Sequence, residues 1–249
     1  TQPMNSGHRG PAIGLIAAIG SEAAAAKPLL WEIARREGDT ARRDALEALV
    51  KMDAADDEVL NYLLGELAAN RAYFVELTGK ELERRIAAQT VPRTAVFALR
   101  DALLNESYMM EGRLLAAIAS LGQDASAIRR DVLKRGARSA NNVAAAAPYF
   151  RTLRAIGGVT TEDIDLLCPF VDSSYTENVN AAVALVKPPL DRKAQKALVC
   201  CNVHSNWAAA TLFPTDGAEV FEAAKDGDPS ALEAALQARA GGTIRAKNG

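Results

Sequence analysis

Apolar residues recur at helical spacing along almost the whole chain, and the stretches between periodic segments are only a few residues long. Short connections force consecutive helices to lie antiparallel as neighbours, so the pattern predicts an all-α chain of packed helices. Helices are predicted over 21–37, from Asp39 or Thr40 to about residue 52, and over 56–69, 80–88, 94–104, 108–121, 125–135, 142–156, 162–171, 177–186, 192–211, 216–225 and 229–240. No alternating run marks a strand and no strand–helix–strand rhythm appears, which argues against nucleotide-binding α/β folds. Aromatic residues are only 5% of the chain while hydrophobic residues are 49%, with alanine abundant. That balance favours closely stacked helices over a sandwich or barrel, which would need more β-branched and aromatic side chains.

Three helical stretches end alike, in apolar-x-x-apolar-Gly: Ile16 to Ile19-Gly20, Ile118 to Leu121-Gly122, and Leu153 to Ile156-Gly157. The apolar pair shares one helix face, and the glycine is expected to take the left-handed conformation that closes the helix. The last two lie 35 residues apart, a spacing expected of a helical-hairpin repeat. Pro28 and Pro169 fall within apolar helical segments, where a proline is expected to kink the helix.

These landmarks carry a resemblance. Residues 18–52, from Ala18-Ile19-Gly20 through Pro28-Leu29-Leu30 to Ala41-Arg42, Ala45 and Ala48-Leu49, resemble a HEAT repeat of the armadillo-type helical family. In that family the first helix is commonly kinked at a proline and the second carries an Ala/Val-Arg-x-x-Ala pattern. Residues 153–186 resemble a second copy, with Pro169, Val179-Asn180, Ala182 and Leu185, although Asn180 stands where arginine is usual. The resemblance implies an α-solenoid over residues 1–213, with Leu29, Leu30 and Ile33 buried against the next hairpin. Residues 214–249 form a separate terminal segment. Val220-Phe221-Glu222-Ala223-Ala224, Asp228-Pro229 and Leu236 there resemble the opening helix pair of an ankyrin array, while the simpler reading, which is preferred, is an ordinary helical hairpin capping the solenoid.

No catalytic constellation stands out. Cys200-Cys201-x-x-His204 is the only dense soft-ligand cluster, and it lacks the two separated pairs that a structural zinc site uses, even with Cys168 added. Cys200 and His204 share a helix face at i, i+4, but no glycine-rich turn supplies an oxyanion site beside them. An odd number of cysteines without framework spacing argues against a disulfide-stapled domain, and the apolar Leu198 and Val199 beside Cys200 suggest a buried, reduced thiol and hence a cytoplasmic chain; no metal or cofactor is expected. The first residues are Thr-Gln-Pro rather than methionine, which leaves a removed signal peptide open. The apolar run Pro11–Ile19 is shorter than the roughly 20 residues of a membrane span, so none is expected. The acidic runs Asp56-Asp57-Glu58 and Glu162-Asp163 read as helix caps and solvated faces. Trp31 and Trp207 read as core residues; Tyr108-Met109-Met110 reads as core filler or an adaptable surface.

Charge supplies the one functional lead. Net charge is −2, yet residues 80–160 hold thirteen Lys and Arg against seven Asp and Glu, and residues 161–186 hold five acids and no base. Arg129, Arg130, Lys134 and Arg138 are spaced to form a basic stripe along one helix and its end. The expected function is a non-catalytic scaffold that binds an anionic protein segment there. Two alternatives follow from the same family resemblance. One is a nucleic-acid-binding protein, DNA glycosylases included, that uses a basic central groove, and the other is a lyase or chaperone for a bound cofactor.

Overall fold

A computed structural model of the chain describes residues 6–36, 38–52, 56–105 and 109–186. The backbone divides into two compact units, Thr1–Leu121 and Gly122–Gly249. The division falls inside the predicted 1–213 segment, while the predicted 214–249 segment lies outside the described residues.

The first unit contains α1 (Ser6–Ile19), α2 (Lys27–Arg36), α3 (Asp39–Met52), α4 (Asp57–Ala68), α5 (Val75–Ala88), α6 (Val96–Asn105) and α7 (Glu111–Ser120). The second contains α8 (Arg129–Gly136), α9 (Val143–Ala155), α10 (Cys168–Val171) and α11 (Thr176–Val183). No strand occurs among the described residues; an isolated parallel bridge joins Val159 and Val186. The described residues are all-α, as the periodicity predicts.

All three predicted glycine endings hold. Gly20, Gly122 and Gly157 adopt φ of 68°, 56° and 107°, conformations that cost little only without a Cβ. After the glycine endings come 3₁₀ helices of seven residues each, Gly20–Ala26, Gly122–Ile128 and Thr161–Leu167, which run directly into α2, α8 and α10. This shared device corrects the reading of the two prolines. Pro28 and Pro169 are the second residues of α2 and α10 and kink neither, because the first turn of a helix needs no bonded N–H. Interior prolines occur instead at Pro11 in α1 and Pro148 in α9.

Packing follows the hairpin logic. Consecutive helices pair as α2–α3, α4–α5, α6–α7, α8–α9 and α10–α11. Alternate helices also touch: α4 lies on α6, α5 on α7, and α9 on α11. The core of the N-terminal helices gathers Ile13, Leu30, Trp31, Leu46, Leu49 and Leu63. Leu30 is buried as expected and Ile33 half-buried, but Leu29 is 52% exposed. Its position beside Pro28 in the first turn of α2 turns it away from α3. Trp31 stacks edge-on against Tyr62 at 5.6 Å, and the Tyr62 hydroxyl donates to the Ala34 carbonyl at 2.9 Å, fixing α2 on α4.

Helix α5 begins earlier than predicted. Its first turns carry Thr78 and Gly79, weak helix formers that hide it from propensity. Both are buried, and a methyl on Gly79 would press on Met110 and Arg113 of the α7 side at 3.2–3.4 Å. Met110 is fully buried and Met109 is 78% exposed, so that pair divides between the two readings; Tyr108 lies outside the described residues.

Candidate functional site

The basic stripe begins where the Gly122–Ile128 3₁₀ helix opens into α8. Val132, Leu133 and Gly136 turn inward, with Arg135 also buried. Gly136 is required there: a Cβ would come within 2.8 Å of Cδ1 and 2.9 Å of Cγ of Tyr149. That close crossing seats α8 on α9. The outward positions are then Arg130, Lys134 and Arg138, four residues apart.

The four predicted residues do not behave alike. Arg129 donates from Nε to Asp163 Oδ2 at 2.7 Å, and Arg130 donates from Nη1 to Asp163 Oδ1 and to the Glu162 carbonyl, both at 2.9 Å. The Thr160 hydroxyl donates to Asp163 Oδ2 at 2.7 Å. Asp163 is 3% exposed, so it is no solvated face residue, which corrects the reading of that acidic run. Burial raises its carboxyl, but the Thr160 hydroxyl and the Arg129 and Arg130 guanidiniums outweigh it and hold the group below the usual carboxylate range. Arg129 and Arg130 are therefore anchors, with Arg130 still half-exposed. Lys134 and Arg138 are exposed and form no ion pair among the described residues.

Two further cations belong to this hairpin and were missed from sequence. Arg151 and Arg154 of α9 are exposed and likewise unpaired among the described residues. The signal was present: Tyr149, Phe150 and Leu153 are the buried positions of α9, which leaves 151 and 154 outward at i, i+3. From Arg129 to Arg154 the chain carries seven Arg and Lys against the single Asp131.

The other acidic run also does more than cap. Asp56 accepts from the Glu58 amide at 2.9 Å, the predicted cap, and takes Lys27 at 2.7 Å. Asp57 takes Arg85 at 2.9 Å and Glu58 takes Arg35 at 2.6 Å. Three successive acids thus bind cations from α2 and α5. Arg85, 1% exposed, also donates to Glu81 at 2.6 Å and to the carbonyls of Asp56 and Thr90.

Cys168 is disulfide-bonded. This overturns the reduced-thiol expectation and removes the support that expectation lent to a cytoplasmic location. The cluster Cys200-Cys201-x-x-His204 and Trp207 lie outside the described residues. Among the described residues one helical stretch, Gly10–Arg36, is long and apolar enough by length and composition to cross a membrane. The apolar run read from the sequence ends at Ile19; the longer stretch adds the following 3₁₀ helix and α2 across the break at Gly20.

No family model, no curated protein and no solved structure matches the chain.

Proposed function

We propose that the chain is a HEAT-like α-solenoid acting as a non-catalytic scaffold, with the α8–α9 hairpin as its docking face for an anionic protein segment. The pairing of alternate helices, α4 on α6 and α5 on α7, is the two-layer stacking that such hairpin arrays use. The recurring glycine ending followed by a seven-residue 3₁₀ helix supports the repeat reading. The observation that carries the function is the set Lys134, Arg138, Arg151 and Arg154: four outward cations on one hairpin that no carboxylate of the described residues neutralises. Uncompensated surface charge of one sign attracts a partner of the other sign and weakens with salt, since screening acts over about 8 Å at physiological ionic strength.

The test is binding of an Asp/Glu-rich peptide by the full chain as salt is raised. Binding should fall steadily with salt and disappear in Lys134→Glu/Arg138→Glu. That pair is the proper probe because Arg130→Glu would set a second carboxylate against buried Asp163 and confound folding with binding. Salt-insensitive binding, or full binding by the double variant, would reject the docking face. Tighter binding to duplex DNA than to the peptide would favour the nucleic-acid reading of the same cations.

A further inference from the structure

The outward face of α1 differs from that of any ordinary surface helix. Among its positions from Gly10 on, the exposed ones are Gly10, Pro11, Gly14, Leu15, Ala18 and Ile19, the last five at i, i+3, i+4, i+7 and i+8, and none of them carries a polar atom on its side chain. Leu15 is 65% exposed and Ile19 47%. No charged residue occurs from Gly10 to Ser21. By contrast the outward face of α5 presents Glu76, Lys80 and Glu83. A surface helix normally keeps its solvent side polar, and an apolar stripe left facing outward marks a contact surface.

We propose that this face lies on a lipid bilayer, with α1 flat in the interface and Leu15 and Ile19 inserted among the acyl chains. Three observations select lipid. The stretch Gly10–Arg36 has the length and composition of a membrane segment, which is the solvent such a sequence suits. A protein partner would meet a polar rim around an apolar centre, whereas the described positions of this arc, from Gly10 to Ile19, carry no hydrogen-bonding side chain. The geometry also excludes a simple span for the packed state. Ile13, Leu30 and Trp31 are buried in the protein core, and the helix breaks at Gly20 with φ of 68° and at Ala23 with ψ of 21°. A helix covered by protein on one side and apolar on the other fits an interfacial position, not a lipid-surrounded one. The proposal stands apart from the basic hairpin, because no cation takes part.

The test is flotation of the full chain with uncharged phosphatidylcholine vesicles. The chain should float, and raised salt should not release it, which separates this contact from any made by the α8–α9 cations. Leu15→Glu/Ile19→Glu changes two exposed residues and should preserve the circular dichroism spectrum. It should reduce the vesicle-bound fraction about ten-fold or more, since each inserted side chain contributes on the order of its full transfer free energy. As a second measure, Leu15→Trp should show blue-shifted emission on adding vesicles. A chain that stays in the aqueous layer, a double variant that floats as well as the parent, or an unshifted Leu15→Trp emission would overturn the proposal. So would a lipid-free dimer that the double variant disrupts, which would assign the face to a second copy.

Discussion

In the Thr1–Leu121 unit a buried cation sits among acceptors; in the Gly122–Gly249 unit a buried anion sits among donors. Arg85 reaches Glu81, Asp57 and the carbonyls of Asp56 and Thr90, so it ties α5 to the start of α4 and to its own C-terminal turn. Asp163 takes Arg129, Arg130 and Thr160, which ties the start of α8 to the Thr161–Leu167 3₁₀ helix. Burial is comparable, but the consequences of failure are not. Removing Arg85 strands a Glu81 that is itself 2% exposed, although half-exposed Asp57 can turn to water. Removing the Asp163 charge releases arginines whose tips already approach solvent. An uncompensated charge is costly only where water cannot reach it.

The largest effect should come from Arg85→Ala. Breaking a buried pair by deleting one partner costs about 3–5 kcal/mol, here moderated by Arg84, which also holds Glu81. Urea unfolding of the full chain measures it. A loss below about 1 kcal/mol, the range of exposed pairs, would break the contrast.

Reduction should act on the second unit alone, because Cys168, Cys200 and Cys201 all fall within it. Loss of the Cys168 bond should cost about 2–4 kcal/mol, read as faster amide exchange in α9–α11 with α3–α6 unchanged. Thiol titration of the unfolded, unreduced chain should find one free thiol. Three free thiols would remove the disulfide.

Asp163→Asn should cost less than Arg85→Ala, about 1–3 kcal/mol, because the amide keeps a hydrogen-bonding oxygen and the arginines can turn to water. The pH dependence has a definite sign. Asp163 has its carboxyl lowered in the folded chain, so its contribution is present above the ordinary carboxylate range and is lost as pH falls through the folded value. Acid unfolding of the second unit should therefore be less steep in Asp163→Asn. An equal or greater cost than Arg85→Ala would reverse the comparison.

The smallest stability effect belongs to Lys134→Glu/Arg138→Glu. Both residues are exposed and unpaired among the described residues, so unfolding should change by no more than about 0.5 kcal/mol while peptide binding is lost. A larger loss would show that the stripe supports the fold.

Helix existence was legible because it depends on local periodicity, and the three glycine endings because left-handed backbone favours glycine locally. Lys134 and Arg138 were legible for the same reason: their outward position follows from Val132 and Leu133 turning inward. Arg85 and Asp163 were not legible, since nothing within several residues of either shows that segments 28 and 34 positions away will enclose them. The start of α5 was hidden by Thr78 and Gly79, whose helical state depends on close packing against Met110. The place of Pro28 depends on the 3₁₀ helix before it. The disulfide at Cys168 depends on which cysteines the fold brings together. Local sequence thus determined where helices form, how three of them end and which cations face outward, because those choices are settled within a turn or two. Only tertiary structure decided which charges are buried, which thiol is bonded and which apolar face of α1 stays uncovered, because each depends on what distant segments bring to the same place.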